Sequence, residues 1–358
     1  MPQLTPFINA IGAATPGHDI HPAFVEWASR QIEDDRERAL FRRMADRSGI
    51  AHRWSILPPT DAGGCPVDPG GFYAGDPLPS TAERMALYAR AAPALALRAV
   101  ADLRASHPLG RITHLVVASC TGFVAPGIDQ IIAAALELPG DVERTLVGFM
   151  GCYAAVSALR SARHIVRSEP EARVLVITVE LSTLHLQPER GIEALLSMLQ
   201  FGDGAAAALV TAEPQGFGLE RCFAATLPDS GELIRWTIGD RGFTMHLSGE
   251  VPGRIGRALA DSAMREALLD GAAIEAVDAW AVHAGGRSIL DAVEHGLGLP
   301  AHALAASRAV LHDYGNMSSA TLMFVLAALL RDPGARSGVA MAFGPGLAAE
   351  GFRFARVP

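Results

Sequence analysis

Apolar runs that predict β-strands alternate with alanine-rich segments that predict helices along most of this chain. In the first half, ITHLVVASC at 112–120 precedes IDQIIAAALEL at 128–138, and ARVLVITVEL at 172–181 is typical of a buried strand. In the second half, VDAWAVHAG at 277–285 precedes GRSILDAVEHGL at 286–297. Because strands that alternate with helices pack as a sheet covered by helices, this order predicts an α/β fold.

Each half of the chain contains a strand, a turn and a helix, with a chemically reactive side chain at the turn. This repetition indicates an internal duplication, and its break falls near residues 212–217. We therefore predict two similar halves, residues 1–213 and residues 214–358.

Three further segments carry helix signals. Residues 22–46 have apolar faces for one or two helices. Ser80 and Glu83 have the spacing of a capping box, which predicts a long helix from there to about Leu103. VPGRIGRALADSAMREALL at 251–269 is interpreted as one helix of about fifteen residues.

Composition excludes several classes of protein. The chain has 358 residues, half of them hydrophobic, and no apolar run approaches the roughly 20 residues of a membrane span. A net charge of −8 argues against nucleic-acid binding, and the absence of lysine excludes Schiff-base catalysis. The four cysteines, Cys65, Cys120, Cys152 and Cys222, show neither metal-binding nor disulfide spacing. Since no signal peptide is evident either, we expect a cytoplasmic protein with no metal.

The segment GFMGCYAAVSALR places Cys152 after a glycine and at the first turn of a predicted helix. Unpaired N–H groups and the helix dipole favour negative charge there, so a thiol ionises more easily and becomes a nucleophile. The alternative is a small buried residue with no chemical role, since free cysteines are often simply buried.

Two later segments place reactive side chains in the same way. His283 ends the strand in WAVHAGG, and Asn316 begins the helix in DYGNMSSATLMF. Taken singly, a histidine is often a satisfied core residue and an asparagine before a helix is often an N-cap. Together with Cys152 they form a set that can converge on one site. A cysteine protease also allows this order, but the local cysteine signature of that class is missing.

Five motifs carry a resemblance to a known family: GCYAA at 151–155, FGDGAAA at 201–207, HAGG at 283–286, YGNMSSA at 314–320 and FGPG at 343–346. In this order they resemble type III polyketide synthases, the chalcone synthase-like enzymes of the thiolase superfamily. The resemblance extends from about Arg42 to Phe352. It implies a thiolase fold, with two αβα halves stacked into five layers, and a homodimer.

The resemblance also implies roles for individual residues. Cys152 would carry the acyl group, and His283 and Asn316 would complete a catalytic triad. Phe201 matches a gatekeeper phenylalanine, whereas Met245 stands where the family has a second one, so the shape of the cavity is expected to differ. The cavity is expected to include four more residues, of which the first two occupy threonine positions of plant enzymes: Cys120, His185, Ser318 and Phe343. For Cys120, inert packing is an equal alternative.

The implied substrates are an acyl-CoA starter and malonyl-CoA, with no further cofactor. Arg43 and Arg47, in the basic segment FRRMADRSGIAHR that also contains Arg42 and Arg53, match family positions that contact CoA phosphates. A solvated helix face is the alternative for these arginines. The expected products are alkylpyrones, alkylresorcinols or small phenolics, and Met245 favours a fatty acyl starter.

Two other functions remain open from the sequence. A ketoacyl-ACP synthase III-like condensing enzyme shares the implied fold and the Cys-His-Asn set, although NMSSA and FGPG fit the polyketide family better. A non-catalytic acyl-CoA-binding protein is a different class, and the intact set of reactive residues argues against it.

Overall fold

The computed structural model describes residues 4–60 and 64–357. Thirteen strands lie within these ranges: β1 (Phe7–Ala14), β2 (His18–Asp19), β3 (Trp54–Ser55), β4 (His114–Ser119), β5 (Glu143–Gly148), β6 (Val174–Leu181), β7 (Asp203–Thr211), β8 (Phe217–Thr226), β9 (Ile234–Gly239), β10 (Gly242–Leu247), β11 (Ala279–Val282), β12 (Ser337–Gly344) and β13 (Ala348–Arg356). The same ranges contain eleven α-helices: α1 (His21–Gln31), α2 (Asp35–Asp46), α3 (Thr81–Ser106), α4 (Ile128–Ala135), α5 (Ala154–Ser168), α6 (Ile192–Met198), α7 (Val251–Ala260), α8 (Ser262–Leu269), α9 (Arg287–Leu297), α10 (Ala305–Tyr314) and α11 (Ser319–Arg331).

Nine strands form one hydrogen-bonded sheet in the order β11-β12-β13-β8-β1-β7-β6-β4-β5. The contacts between β1 and β8 are limited to two residue pairs, Phe7 with Gly218 and Ile8 with Phe217. The sheet therefore consists of a five-stranded N-terminal part and a four-stranded C-terminal part that meet at one edge. Within the first part, β5, β4 and β6 run parallel.

Helices α5 and α11 lie between the two parts of the sheet, and helices cover both outer faces. Strand β6 shows why the sequence forms these layers. Its Val174 and Val176 pack toward α5 and α11, whereas Leu175 and Ile177 pack toward α3. A strand buried on both faces needs a continuous apolar run, and the sequence provides one. The layers are helix, sheet, helix, sheet and helix, as predicted.

Most predicted elements are present, with one correction. Residues 22–46 form two helices, α1 and α2, and the capping box between Ser80 and Glu83 begins α3. The segment 251–269 is not one helix but two, because Asp261 leaves the helical conformation and its carboxylate caps α8. Strands β1, β2, β3 and β9 and helices α6 and α10 were not predicted. None of the helices described is long and apolar enough to cross a lipid bilayer.

Candidate active site

Cys152 lies where a sharp turn connects β5 to α5. Residues Gly151–Tyr153 form one turn of 3₁₀ helix that leads into α5, and Gly151 has a φ of +72°. A Cβ on Gly151 would lie 2.4 Å from Cδ of Pro345, so the turn requires glycine for both its conformation and its space. Cys152 is 8% exposed. The turn thus holds the thiol inside the protein, at the beginning of the central helix.

Burial controls the protonation of this thiol. It raises the pKa of Cys152 to about 12, against smaller lowering effects of hydrogen bonds from the Ser318 hydroxyl and the Asn316 amide. The Ser318 Oγ lies 3.7 Å from the Cys152 sulfur. Desolvation therefore outweighs the hydrogen bonds that favour the thiolate.

His283 follows β11 and is equally buried, with 1% of its surface exposed. Its backbone N–H donates to the Met341 carbonyl at 2.8 Å, but within residues 4–60 and 64–357 neither ring nitrogen has a hydrogen-bond partner. Burial lowers the pKa of the imidazole to about 3. A buried polar ring without partners is costly to stability, so such rings are commonly retained for a functional reason. His283 is held neutral, with two nitrogens available to a substrate.

Asn316 interacts with Cys152 through its side chain and with Phe201, the predicted gatekeeper, through its backbone. Its Nδ2 donates to the Gly285 carbonyl at 3.2 Å, and its Oδ1 accepts from the Ser318 N–H at 2.8 Å. Its backbone pairs with the segment around Phe201, because Gly202 N–H donates to the Asn316 carbonyl at 3.0 Å. The Asn316 amide therefore donates to the Gly285 carbonyl and also interacts with the Cys152 sulfur.

A cavity of about 1030 Å³ lies beside this group of residues. Of the predicted cavity residues, Phe201, Met245 and His185 line it. Cys152, His283 and Asn316 do not line it, and neither do the other three predicted residues, Cys120, Ser318 and Phe343. Phe201 lines the cavity, and its backbone pairs with that of Asn316, which does not line the cavity.

His185 is fixed as a neutral ring in the cavity wall. Its Nε2 donates to the Thr121 carbonyl at 2.7 Å, and its Nδ1 accepts from the Phe243 N–H at 3.0 Å. The imidazole stacks on the Phe243 ring, with 4.2 Å between the ring centroids. Burial lowers the pKa of the imidazole to about 3. With both nitrogens satisfied, His185 shapes the cavity and is not free for acid–base chemistry.

A buried polar network adjoins the nucleophile. The Cys120 sulfur lies 3.1 Å from the Ser318 hydroxyl and 3.4 Å from both carboxylate oxygens of Glu180. Glu180 also accepts from the Thr121 hydroxyl at 2.9 Å and from the hydroxyl of Ser319. Burial raises the pKa of the Glu180 carboxyl to about 7. Cys120 therefore bonds to polar groups and is not inert packing.

Sequence reasoning did not identify Glu180. The signal that could have found it is its position in β6, where it is the single carboxylate in an otherwise apolar and neutral strand. A charged residue at a fully buried position needs several hydrogen-bond donors around it, which indicates a polar site nearby.

Ser318 and Phe343 lie in the protein interior. Ser318 precedes α11 and has a φ of +47°, an unusual conformation for serine. Phe343 lies in β12, 5% exposed, and packs in the apolar layer under the C-terminal part of the sheet. Ser318 belongs to the environment of the cysteine, whereas Phe343 contributes to the core.

The basic segment divides into exposed and buried arginines. Arg43 and Arg47, in and directly after α2, are exposed, and within the described residues neither side chain forms an ion pair. They flank Met44, which lines the cavity. Arg42 pairs with Glu26 at 3.5 Å.

The sequence suggested that Arg53 belongs to a basic surface patch, but the structure buries it. It is 1% exposed, and one guanidinium nitrogen donates to the carbonyls of Met198 and Phe201 at 3.1 and 2.8 Å. Arg53 therefore holds the backbone carbonyl of Phe201, the predicted gatekeeper. Its buried side chain does not reach the surface, where it could bind anions.

The fold and the site define a condensing enzyme with a buried cysteine, histidine and asparagine. The family model for the N-terminal domain of chalcone and stilbene synthases matches residues 5–214, and the model for their C-terminal domain matches residues 219–358. The chain therefore belongs to the chalcone and stilbene synthase family.

Individual relatives agree with this assignment. The chain is 32% identical to the alpha-pyrone synthesis polyketide synthase-like Pks18 of Mycobacterium tuberculosis, over 99% of this chain and 92% of that protein. It is 34% identical to bisdemethoxycurcumin synthase of Oryza sativa subsp. japonica, over 96% of this chain and 90% of that protein.

Solved structures agree as well. The C-terminal type III polyketide synthase domain of Steely1 from Dictyostelium superposes with a TM-score of 0.89 at 27% identity, covering 99% of this chain and all of that domain. PKS-I of Ectocarpus siliculosus superposes with a TM-score of 0.88 at 29% identity, covering both chains completely. The predicted family and thiolase fold are confirmed. The protein is a type III polyketide synthase, an acyltransferase that condenses an acyl-CoA with malonyl-CoA.

Proposed function

We propose that Cys152 carries the growing chain and that His283 and Asn316 stabilise the enolate. The observation that carries this proposal is the buried His283 ring, whose two nitrogens have no hydrogen-bond partner among the described residues, together with the Asn316 amide that interacts with the Cys152 sulfur. Buried donors without partners are costly unless a substrate uses them. The Cys152 sulfur, within reach of Ser318, provides the attachment point.

The first half-reaction loads the enzyme. The Cys152 thiol attacks the acyl-CoA carbonyl while neutral His283 accepts the thiol proton, and the proton then goes to the departing CoA sulfur. His283 is a neutral imidazole before this step, because burial lowers its pKa, so one ring nitrogen has a lone pair that can accept the proton. The Cys152 thiolate and the His283 imidazolium exist only transiently, while the substrate is bound.

The second half-reaction extends the chain. Malonyl-CoA loses CO₂, and the electron pair left behind forms an enolate whose oxygen accepts from the His283 and Asn316 N–H groups. The enolate carbon attacks the Cys152 thioester, forming the new C–C bond and releasing the sulfur. Donors aimed at such an oxygen are typically worth about 10²–10³ in rate. No metal or cofactor beyond the CoA thioesters enters this scheme.

We further propose a fatty acyl starter and an alkylpyrone product. In support, the cavity of about 1030 Å³ is lined largely by apolar side chains, and Met245 replaces a rigid ring with a flexible thioether. A relative that matches over almost the whole chain is described as an alpha-pyrone synthesis enzyme. Alkylresorcinols and small phenolics are the alternatives.

A starter panel tests this proposal. Purified enzyme is given malonyl-CoA with acyl-CoAs of increasing chain length and with an aromatic acyl-CoA, and the products are identified by mass spectrometry. We expect fatty acyl pyrones, and we expect Met245→Phe to shift use toward shorter starters. Preference for the aromatic starter, as the likeness to bisdemethoxycurcumin synthase allows, would overturn the fatty-acyl assignment. Cys152→Ala should form no product from any starter.

We propose that Arg43 and Arg47 bind the CoA phosphates. They are unpaired cations beside a residue of the cavity wall, and guanidinium binds phosphate through two parallel hydrogen bonds. Changing each to Gln should raise KM for malonyl-CoA without changing KM for a malonyl thioester that lacks the nucleotide. Arg36→Gln on the same helix is the matched control. An equal effect on both thioesters would contradict phosphate binding.

We also propose a homodimer that works in the cytoplasm. Strand β5 is an edge of the sheet, and its Leu146 and the nearby Phe123 are each 44% exposed. An exposed edge strand with apolar side chains favours pairing with a second copy. Leu146→Glu should shift the sedimentation coefficient from dimer to monomer, and a wild-type monomer would contradict the proposal. The four free cysteines support the proposed cytoplasmic location, because thiols stay reduced in that compartment.

A further inference from the structure

Three side chains converge at the end of the N-terminal sheet that is opposite the catalytic residues. His114 begins β4, Glu143 begins β5 and Glu169 follows the last residue of α5. Cys120 comes directly after the other end of β4, so His114 lies about 20 Å from it. This group therefore belongs to a different part of the molecule from the catalytic site.

The three side chains are near one another without being hydrogen-bonded. The His114 Nε2 lies 3.7 Å from a Glu143 oxygen and 4.0 Å from a Glu169 oxygen. Both distances exceed a hydrogen bond. One nitrogen and two carboxylate oxygens lie within 4.8 Å of one another. The imidazole side chain is only 7% exposed, while the two carboxylates reach solvent.

The neighbouring threonine determines which nitrogen of His114 carries the proton. The Thr113 Oγ1 accepts from the Arg173 N–H at 2.9 Å and donates to the Arg173 carbonyl at 3.3 Å. With that proton used, the Nδ1–H of His114, at 2.9 Å, can donate to the Thr113 Oγ1. In this tautomer the Nε2 lone pair faces the two carboxylates, and a cation bound between them would relieve the repulsion.

We propose that His114, Glu143 and Glu169 bind a divalent transition metal ion, with Zn²⁺ as the fitting ion. One imidazole and two carboxylates are common zinc ligands, and water completes the tetrahedron. Ligands about 2.1 Å from zinc in a tetrahedron are separated by about 3.4 Å. The distances from Nε2 to the two carboxylates, 3.7 and 4.0 Å, are longer than this value, and the exposed glutamates can rotate to close the gap.

The backbone holds the ligands in place. His114 and Glu143 are paired residues of the parallel strands β4 and β5, and the Glu143 N–H donates to the Thr113 carbonyl at 3.0 Å. The Glu169 N–H donates to the Ile165 carbonyl at 2.8 Å and ends α5. The ion ties the edge strand β5 to β4 and to the central helix, so it stabilises this end of the sheet. No local spacing motif exists in the sequence, because the three ligands come from three separate elements.

Calorimetric titration of the metal-free protein with zinc chloride tests the site. We expect one ion per chain, and about tenfold or greater loss of affinity in Glu169→Gln and Glu143→Gln. Glu171→Gln removes the same charge from an exposed neighbour and should bind zinc like the wild type. Magnesium chloride should not compete, because Mg²⁺ prefers an all-oxygen octahedral site.

Two further measurements separate this site from the thiols and from a simple ion pair. The cobalt(II) complex should show no thiolate-to-metal absorption band. Thr113→Val, which leaves the three ligands intact, should weaken zinc binding by about 10–100-fold. Equal zinc affinity in the wild type and both glutamine variants would overturn the proposal, since a protonated His114 paired with two carboxylates would then explain the cluster. A thiolate band in the wild-type complex would also overturn it.

Discussion

The Ser318 hydroxyl lies near the sulfurs of both Cys120 and Cys152. It is 3.1 Å from the sulfur of Cys120 and 3.7 Å from that of Cys152, and the Ser318 N–H donates to Asn316. The strained φ of +47° is what aims the hydroxyl between the two sulfurs. Ser318 therefore links the nucleophile, the amide donor and the polar network in one position.

Removal of this hydroxyl should slow the ionisation of the nucleophile. In Ser318→Ala the hydrogen bond that lowers the pKa of Cys152 is lost, while burial continues to raise it. We expect alkylation of Cys152 by iodoacetamide at neutral pH to slow by about three- to tenfold, since one hydrogen bond is worth about 1 kcal/mol. Ser161→Ala on α5 is the control, because that hydroxyl bonds to the Ser157 carbonyl. An unchanged alkylation rate in Ser318→Ala would contradict the role of the hydroxyl.

Because the pKa of Glu180 is raised in the folded protein, the free energy of unfolding should fall as pH rises. The folded pKa of about 7 lies above the ordinary 4.5, so the folded protein binds the extra proton between these values. The stabilisation is complete below about pH 4.5 and is lost as pH passes 7, by about 3 kcal/mol in all. Urea unfolding of the wild type and Glu180→Gln across pH 5–8 should show a decline in the wild type that the variant lacks.

The exposed Glu275→Gln serves as the control for this comparison and should keep the wild-type pH dependence. Asp203, whose pKa burial also raises, contributes the same sign in both proteins and therefore cancels in the difference. Parallel pH profiles for the wild type and Glu180→Gln would show that Glu180 does not hold this proton.

At the scale of elements, the 3₁₀ turn before α5 decides where the nucleophile lies. Its glycine has left-handed φ, and the Pro345 ring fills the space where a side chain would be. Pro345 belongs to the FGPG motif after β12, so two distant motifs contact each other at the cysteine. The turn is therefore a junction between the two halves as well as a local feature.

Substitution of Gly151 by alanine should be costly for this reason. The backbone strain alone is worth about 1–3 kcal/mol, and the overlap with Pro345 adds to it. We expect a lower midpoint in urea unfolding and loss of condensing activity through displacement of Cys152. Gly140→Ala is the matched control, since a Cβ there has nothing within 4 Å and no left-handed φ is involved. Equal stability of the two variants would argue against the strain.

At the scale of the whole molecule, the two halves share one layer. Helices α5 and α11 come from different halves, yet both are buried between the two parts of the sheet. Most of α11 is buried, including Leu322, Val325 and Leu326. Neither half can bury its central helix alone, so the predicted boundary at 213/214 separates two repeats rather than two independent folding units.

A fragment of residues 1–213 should therefore not fold by itself. Without the C-terminal part of the sheet, the apolar face of α5 would be exposed to water. We expect no cooperative unfolding transition and weak near-ultraviolet circular dichroism for the isolated fragment, with both restored by co-expression of residues 214–358. A cooperative transition in the isolated fragment would show that the halves are independent.

The sequence by itself determined most of the order of strands and helices and the types of side chain at the key turns, whereas the five layers were implied by the family resemblance. The order and the side-chain types follow from local signals, such as apolar runs, capping residues and glycines, whose effects extend over a few neighbouring residues. The family motifs around Cys152, His283 and Asn316 are local in the same sense. The division of residues 251–269 into two helices was missed because apolar periodicity continues across Asp261.

Only the tertiary structure decided what surrounds each reactive group. It placed Glu180 beside Cys120, buried Arg53 under Phe201 and left His283 without partners. It also brought His114 toward two glutamates from other elements. Such distances depend on how all the layers pack together, and burial then sets the pKa values. A pattern along the chain contains neither quantity, because both arise between residues that are far apart in sequence.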